Sequence, residues 1–320
     1  MKNLNTKNSQ SLINSSCKYN IDEVLAICKK NQLPESFISI VDDVYLPLSA
    51  WIAKKSQDRE GAVVVGINGA QGSGKSTLCR FLEYLLLNVW EISTITISID
   101  DLYKTRQERL DMAKNIHPLF KTRGVPGTHD VELGLKLFFD LKNMGIDGNP
   151  VSIPRFNKAL DDRFDKSEWT NCTKAPKIIL FEGWCVGAYP QPDKELNEPI
   201  NRLEQEKDPN SLWRESVNLE LKKAYTQLFN QIDHLIMLKV PSMEQVLIWR
   251  KNQEHKLAKS FKDLSMKNKI MTDEEIEVFV MHYQRLTEYM LKEMPQRADI
   301  VLYLNQNQEI DKVNQSLKRC

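Results

Sequence analysis

The stretch from Val63 to Leu87, "VVVGINGAQGSGKSTLCRFLEYLLL", constrains the fold more than any other part of the chain. It opens with a β-branched run typical of a buried strand and closes with leucines at helical spacing. Between the two lies a glycine-rich segment, Gly69–Ser76, that matches G-x-x-x-x-G-K-[ST], the phosphate-binding loop. The motif requires a strand before it and a helix after it, and this sequence predicts both.

Short β-branched runs recur along the chain, with long helical patterns between most of them. The runs are Ala62–Ile67, Ile95–Ile99, Ile178–Phe181, His234–Val240 and Asp299–Leu304. The clearest helical patterns are Lys75–Trp90, Val131–Met144 and a helix that opens at Thr272 and continues to about Met294. This alternation is typical of an α/β fold in which helices cover both faces of a parallel sheet. We expect five parallel strands in the order 2-3-1-4-5, numbered along the chain.

The part of the chain before Gly61 contains helical patterns, Asp22–Lys30 and Phe37–Lys54, and no strand alternation. We therefore expect residues 1–60 to form a helical extension packed on a main domain of residues 61–320. Two stretches, Leu119–His129 and Gly187–Asn210, do not read as regular structure. Long loops in a compact enzyme are often functional.

Charge and composition exclude several partners. The chain has 44 Lys and Arg against 43 Asp and Glu, a net charge of +1, so no long-range field attracts nucleic acid or an anionic membrane. A small polar molecule is the expected partner. Met1–Lys18 is polar throughout and no later apolar run approaches membrane-spanning length, which predicts a soluble, cytoplasmic protein. The six cysteines form no C-x-x-C pair and are expected to be reduced thiols.

The phosphate-binding loop has a direct chemical reading. Glycines let successive backbone N–H groups turn inward around a phosphate, and the helix that follows adds its positive dipole end. Lys75 is suited to reach the β- and γ-phosphates of ATP, and the Ser76 hydroxyl is suited to bind Mg²⁺. The residues assigned to the nucleotide are Gly69, Ala70, Gln71, Gly72, Ser73, Gly74, Lys75, Ser76 and Thr77.

Acidic residues end two of the other predicted strands, at the edge where open parallel sheets bind ligands. Asp100 and Asp101 follow the second strand, and a kinase needs a carboxylate there to orient the acceptor hydroxyl and take its proton. Either aspartate could serve; alternatively Asp100 caps a helix or holds Mg²⁺ through water. Glu182 ends the third strand, where it could bind Mg²⁺ or position phosphates, or be a plain turn carboxylate.

Two irregular segments between these strands, Lys121–Asp130 and Ile153–Arg163, combine Arg, Lys, His and Asp with Pro and Gly. Such side chains on a rigid backbone suit a small polyhydroxy or carboxylate substrate, because Arg can grip a carboxylate in two places. Solvated charged loops are the alternative explanation.

Six segments together resemble the D-glycerate 3-kinase family: "GINGAQGSGKST", "SIDDLY", "RGVPGTHD", "IPRFNKALDDR", "FEGWCVGA" and "WRKNQEHKL". They occur in order from about Gly61 to Leu304. The family comprises P-loop kinases related to phosphoribulokinase, uridine kinase and pantothenate kinase. The resemblance implies a P-loop NTPase fold of the kinase type and ATP-dependent phosphorylation of a small hydroxyl acceptor, with D-glycerate to 3-phosphoglycerate as the leading case.

The resemblance also implies roles for individual residues. Asp100 lies at the position of the catalytic aspartate, and Arg250 lies on a helix near residues 243–260 that resembles a lid, so the catalytic set is Asp100, Lys75 and Arg250. The residues assigned to the acceptor are Asp101, Tyr103, Arg123, His129, Asp130, Arg155 and Lys158. Those assigned to Mg²⁺ are Ser76, Asp100 and Glu182.

One position departs from the family pattern, because Asn157 stands in "PRFNK" where an Asp is usual. Asn keeps the size and the acceptor oxygen of Asp but loses the charge. Asp161 or Asp162 could compensate if the position contacts substrate. Three other functions stay open: a kinase for pantothenate, a nucleoside or a sugar phosphate; a regulatory NTPase; and a protein that binds nucleotide without turnover.

Overall fold

A central β-sheet with helices on both faces organises the chain, and the computed structural model describes residues 19–144, 149–260 and 271–315. The strands are β1 (Val63–Gly69), β2 (Thr94–Ser98), β3 (Val151–Ile153), β4 (Phe156–Asn157), β5 (Asp162–Arg163), β6 (Thr170–Cys172), β7 (Ile178–Gly183), β8 (His234–Lys239), β9 (Ile300–Leu304) and β10 (Ile310–Gln315). The segments 1–18 and 316–320, which contain Cys17 and Cys320, lie outside the described residues.

Ten α-helices of six residues or more lie within the described ranges. They are α1 (Ile21–Lys30), α2 (Leu46–Gln57), α3 (Lys75–Asn88), α4 (Arg106–Asn115), α5 (Val131–Lys142), α6 (Arg202–Lys207), α7 (Leu212–Lys222), α8 (Ala224–Phe229), α9 (Met243–Ser260) and α10 (Asp273–Glu293). The helix expected at Thr272 begins there with a capping box, in which the Thr272 hydroxyl and the Glu275 carboxylate each accept from the other residue's backbone N–H.

The main sheet contains six strands in the order β2-β7-β1-β8-β9-β10. Neighbouring strands are parallel from β2 to β9, whereas β10 is antiparallel to β9. The prediction of a five-stranded, wholly parallel sheet was therefore wrong by one strand. β10 reads "IDKVNQ", and an edge strand this polar gives no β-branched run in the sequence.

Alternation along the central strand divides the core into two layers. Val63, Val65 and Ile67 pack on one face, in the same cluster as the apolar side of α3. Val64 packs on the other face with residues of β7 and of α5. Every residue of β1 is buried, as expected of a strand covered on both sides.

The N-terminal extension packs on the first of these layers. Its helical stretch Glu35–Gln57 includes a π-helical segment, Val41–Tyr45, that leads into α2. The rings of Phe37 and Tyr45 lie 5.6 and 5.5 Å from the ring of Phe81 on α3. Glu35–Gln57 is also long and apolar enough to cross a membrane by length and composition, which corrects the expectation that no run approaches that length. Its buried side chains belong to the core cluster on this face of the sheet.

The stretch Gly187–Asn210 is partly helical, which corrects its interpretation as irregular. It contains a 3₁₀ turn, Asp193–Leu196, and the short helix α6. Two buried arginines fix its backbone: Arg285 donates to the carbonyls of residues 195 and 198, and Arg214 donates to those of residues 196 and 197. Their carboxylate partners, Glu204 and Asp208, come from the same stretch, so the two buried arginines are paired inside the fold.

Candidate active site

The phosphate-binding loop joins β1 to α3 at the carboxyl edge of the sheet. Gly72 and Gly74 have φ of 77° and 87°, in the left-handed region that glycine adopts without strain. The Lys75 ammonium donates to the carbonyl of Ala70 at 3.1 Å and so folds back over the loop. The buried hydroxyl of Ser73 has no hydrogen-bond partner in the described part of the chain. A polar atom left unpaired inside this glycine turn fits a site built for phosphate oxygens.

Glu182 lies beside this loop because β7 pairs in parallel with β1, which sets Glu182 opposite Ile67. The Ser76 hydroxyl is 3.4 Å from Glu182 Oε1. Burial raises the pKa of Glu182, and the nearby Lys75 ammonium opposes that rise. Burial likewise lowers the pKa of Lys75, against the attraction of Glu182 and Asp100. A hydroxyl and a carboxylate next to a phosphate site form a ligand set that fits Mg²⁺.

Asp100 lies in the 3₁₀ turn Ile99–Leu102 at the end of β2. Its carboxylate accepts from Lys158 Nζ at 2.6 Å and from the Tyr103 hydroxyl at 3.0 Å. Burial pushes the pKa of Asp100 upward, but the Lys158 ammonium and the hydrogen bonds outweigh it, so the net pKa lies below the ordinary value. The side chain keeps 30% exposure, which leaves an ionised carboxylate open to a substrate hydroxyl.

Asp101 contacts a different set of partners. Its carboxylate accepts from Arg155 at 2.8 Å and from the backbone N–H of Phe156 at 3.1 Å. Burial raises the pKa of Asp101, and these hydrogen bonds lower it in part. Asp101 and Arg155 therefore hold the β4–β5 hairpin against the turn that carries Asp100.

His129 lies beneath this turn. Its imidazole stacks on the Tyr103 ring at 4.5 Å and accepts or donates a hydrogen bond of 2.6 Å at the hydroxyl of Tyr225. Burial lowers the pKa of His129 to about 3, against the pull of the Asp100 carboxylate. The imidazole is therefore neutral at physiological pH.

The remaining acceptor candidates are engaged within the protein. Arg123 forms an ion pair with Asp161, and the Asp130 carboxylate caps α5 through the N–H of Leu133 at 3.0 Å while accepting from Arg163 at 3.1 Å. Asp130 is therefore the N-cap residue of α5. Lys158 is also paired, with Asp100, but its side chain is 62% exposed.

Arg250 lies on α9, the helix expected near residues 243–260. Its guanidinium is 2.6 Å from Glu254 on the same helix and lies 5.6 Å from the ring centroid of Phe279. Burial and the Asp100 carboxylate raise the pKa of the Tyr283 phenol, and the Arg123 and Arg250 guanidinium groups oppose that rise in part. The Tyr283 phenol is therefore close enough to Arg250, Asp100 and Arg123 for their charges to act on it. The neighbouring Trp249 lies against Gly72 of the phosphate-binding loop.

Sequence reasoning missed the residue that joins the two acceptor segments. Arg109 is only 1% exposed, and its guanidinium donates to the carbonyls of Lys104, Lys121 and Asp161. It lies on α4, "RQERLDMAKN", which reads as a solvated polar helix, so no sequence signal marks it. Asn157 also has a structural explanation, because its amide oxygen accepts from the N–H groups of residues 159 and 160 and forms the hairpin turn.

The phosphate-binding loop on a mostly parallel sheet, with an ionised aspartate facing it, defines a P-loop kinase. No family model matches the chain. An uncharacterized kinase of Schizosaccharomyces pombe, mug58, is 34% identical over 243 residues, covering 73% of this chain and 82% of that protein. The chloroplastic D-glycerate 3-kinase of Arabidopsis thaliana is 28% identical over 277 residues, which are 80% of this chain and 57% of that longer protein.

Solved structures agree with this class. The D-glycerate 3-kinase of Cryptococcus neoformans superposes with a TM-score of 0.67 at 24% identity, covering 85% of this chain and 96% of that one. The protein YGR205w superposes with a TM-score of 0.65 at 22% identity, covering 88% and 96%. These two show the fold, and the sequence relatives show the family. The chain belongs to the same kinase family as mug58, and it resembles the group of P-loop kinases that includes D-glycerate 3-kinase and pantothenate kinase.

Proposed function

We propose that this kinase transfers the γ-phosphoryl group of Mg-ATP to a hydroxyl of D-glycerate and forms 3-phosphoglycerate. The proposal rests mainly on the Asp100 carboxylate. Lys158 and Tyr103 keep it ionised, and it is partly exposed. Its charge also interacts with that of Lys75 in the phosphate-binding loop. The names of two relatives, from Arabidopsis and Cryptococcus, supply the acceptor. A cytoplasmic location is part of this proposal, and the chloroplast in one relative's name belongs to that relative.

Asp100 takes the proton of the acceptor hydroxyl as that oxygen attacks the γ-phosphorus. Lys75 supports the β- and γ-phosphate oxygens as negative charge moves toward ADP. Mg²⁺, when bound, neutralises phosphate charge, and Ser76, Glu182 and Asp100 are the residues that would hold it. Arg250 is our candidate for a further positive charge near the transferred phosphoryl group when α9 closes over the site. To reach that group, its guanidinium must break the ion pair with Glu254. Catalysis in this scheme comes mainly from positioning and electrostatics.

The cations around Asp100 favour an anionic acceptor. Lys158, Arg123 and Arg155 lie on the two segments that flank the aspartate, and each now pairs with a carboxylate of the protein. A substrate carboxylate can compete for these cations, whereas an uncharged nucleoside cannot. D-glycerate and pantothenate both combine a carboxylate with a hydroxyl. Pantothenate is the second candidate, since a Lactococcus lactis pantothenate kinase matches at 24% identity over 95% of this chain.

The test is ADP release from Mg-ATP by the purified chain, screened against D-glycerate, L-glycerate, pantothenate, uridine and ribulose 5-phosphate. We expect turnover that depends on D-glycerate, with 3-phosphoglycerate as the product. Turnover with pantothenate alone would reassign the acceptor within the same class. ADP release that no acceptor stimulates would favour a regulatory NTPase and contradict the proposal.

A further inference from the structure

His129 is the one histidine of the acceptor segments, and protein groups surround its ring almost completely. It is 1% exposed and lies between two aromatic rings, stacked on Tyr103 and edge-on to Tyr225 at 5.8 Å. Its Nδ1 lies 2.6 Å from the Tyr225 hydroxyl. Its Nε2 is buried and has no hydrogen-bond partner among the residues that the structure describes. A buried polar atom without a partner is uncommon in a native fold and calls for an explanation, of which a bound water and a bound ligand are two.

The contacts of Tyr225 determine which ring nitrogen carries the proton. The Tyr225 oxygen accepts from the backbone N–H of Gly127 at 3.0 Å and from that of His129 at 3.3 Å. A phenol oxygen accepts two hydrogen bonds at most and has one proton to donate. The remaining bond, to His129 Nδ1, must therefore run from the phenol to the imidazole. Nδ1 is the acceptor, and the proton of the neutral ring lies on Nε2.

The His129 ring is separated from the proposed base by one aromatic side chain, that of Tyr103. The Tyr103 ring that stacks on the imidazole carries the hydroxyl that donates to Asp100 at 3.0 Å. Tyr103 and His129 also form an isolated backbone bridge, which fixes the two rings face to face. Asp100 and the imidazole are close enough to act on each other's charge.

We propose that His129 is a specificity residue that donates one hydrogen bond, from Nε2–H, to an oxygen of the anionic acceptor, and that Tyr225 is the positioning residue that fixes this tautomer. The proposal rests on the proposed kinase function. It assigns proton removal to Asp100 alone, because a ring that already donates from Nε2 has no free lone pair for the substrate. The chemical class recognised is a small molecule with a carboxylate or hydroxyl oxygen next to the reacting hydroxyl.

The charged and titratable groups that face the ring favour its neutral form. Burial lowers the pKa of His129 to about 3, Asp100 opposes that shift, and Lys104 adds to it. Burial raises the pKa of both Tyr103 and Tyr225 well above the ordinary value, so both phenols keep their protons. His129 therefore stays a neutral donor across the physiological range, and it adds no imidazole titration to the pH profile of the enzyme.

The tautomer can be measured directly on the full chain, with no turnover. Long-range ¹H–¹⁵N correlation spectra of histidine-labelled protein distinguish Nδ1–H, Nε2–H and charged rings. His282 is a matched internal control, since it is also buried with an unpartnered Nε2, but its Nδ1 lies 2.9 Å from the Val278 carbonyl and must carry the proton. We expect Nε2–H for His129 and Nδ1–H for His282 at pH 7. A charged or Nδ1–H ring at position 129 would overturn the proposal.

Kinetics of three variants test the contact with substrate. His129→Leu removes the donor, and we expect the KM for D-glycerate to rise about tenfold while the KM for ATP stays unchanged. His129→Gln returns an N–H donor and is expected to recover part of that loss. Tyr225→Phe is expected to shift the ring away from the pure Nε2–H form and to raise the acceptor KM in parallel. His282→Gln is the matched control and is expected to leave both KM values unchanged.

Failure of this inference is distinguishable from failure of the kinase proposal. If the wild-type chain phosphorylates D-glycerate and His129→Leu keeps the wild-type acceptor KM, the donor role is wrong and the kinase activity stands. If the wild-type chain turns over no acceptor, the kinase proposal fails. In that case a His129 Nε2 signal that does not move on addition of D-glycerate overturns the inference as well.

Discussion

Asp100 and Asp101 are consecutive residues whose carboxylates contact different partners. The 3₁₀ turn at the end of β2 directs Asp100 toward Lys158 and Tyr103, and Asp101 toward Arg155 and the backbone of the β4–β5 hairpin. Asp100 keeps an ionised, partly exposed carboxylate, whereas Asp101 fixes a loop. The two are therefore expected to contribute differently to turnover.

Asp100→Asn is expected to lower kcat by about 10²- to 10⁴-fold while ATP still binds to the intact phosphate-binding loop, because Asn cannot accept the hydroxyl proton. Asp101→Asn is the matched variant, of the same size and one residue away. We expect it to act mainly on the acceptor KM, since it loosens the hairpin that carries Lys158. Steady-state kinetics with both substrates varied separates the two effects. Equal losses of kcat in the two variants would contradict the assignment of the base.

The pH profile depends on the ion pair of Asp100. A base with a lowered pKa is active at any pH above that pKa, and activity is lost as the pH falls through it. Lys158→Met removes the ammonium but leaves the burial, which alone raises the pKa, so the acid limb of kcat/KM is expected to move to higher pH. Lys166→Met, an exposed lysine of the following segment, is expected to leave the limb in place. If the acid limb of kcat/KM lies at the same pH in Lys158→Met as in the wild type, Asp100 is not the titrating group.

At the scale of elements, the acceptor segment before α5 packs most tightly against the rest of the fold at Gly124. Gly124 has a φ of 140°, its carbonyl accepts from the Trp184 indole at 2.9 Å, and the Tyr283 hydroxyl donates to the preceding carbonyl, that of Arg123, at 3.1 Å. A Cβ at this position would lie 2.1 Å from the Tyr283 oxygen. The loop before α5, the residue that follows β7 and helix α10 therefore meet at a position that only glycine can occupy.

Gly124→Ala is expected to destabilise the protein by about 2 to 4 kcal/mol through left-handed strain and overpacking. Because α10 must move away from Arg123, the acceptor KM should rise as well. Gly61→Ala is the control, since Gly61 also has a positive φ, 79°, but no atom within 4 Å of the added Cβ, so strain alone costs about 1 kcal/mol. Urea denaturation of the two variants gives the comparison. A smaller loss for Gly124→Ala than for Gly61→Ala would contradict this packing.

The sequence predicted the elements that carry strong apolar patterns and missed those held by polar contacts. Each predicted strand of the main sheet is present within a residue or two, because its run is rich in apolar and β-branched residues. The central strands β1 and β7 are buried throughout, whereas the edge strand β2 is only partly buried. The hairpins of β3 with β6 and β4 with β5 are two or three residues long, too short to show alternation. Arg109 was missed because it is held by backbone carbonyls and by the carboxylate of Asp161, 52 residues away, contacts that no local pattern marks.

In the candidate site, the phosphate-binding motif predicted the residues that bind the nucleotide. No motif predicted how the residues proposed for the acceptor come together. Gly69–Thr77 is local in sequence, so its geometry follows from its own residues. The acceptor side is assembled from segments far apart in the chain, such as His129 with Tyr225, 96 residues away. No local pattern encodes that pairing, and it emerges only when α8 packs beneath the loop before α5.

At the scale of the whole molecule, the N-terminal extension and the kinase core share one hydrophobic cluster. Ile52 of α2 is fully buried in the cluster that contains Phe81 of α3 and Val65 of β1. Helix α3 begins at Lys75, so the extension supports the helix whose first turn closes the phosphate-binding loop. An extension packed in this way is expected to unfold together with the core rather than before it.

Ile52→Ala is therefore expected to destabilise the entire enzyme by about 2 to 5 kcal/mol, because it opens a cavity in a shared core. Ile21→Ala is the matched control in the same extension, at a residue 44% exposed, and is expected to cost less than about 1 kcal/mol. Tryptophan fluorescence reports on both parts, since Trp51 lies in the extension and Trp184 in the core, and far-ultraviolet circular dichroism reports on the helices. In a cooperative molecule the transitions seen by these probes coincide in wild type and shift together in Ile52→Ala. Two separated transitions, with ATP binding retained after the first, would instead make the extension an independent unit that the phosphate-binding loop does not need.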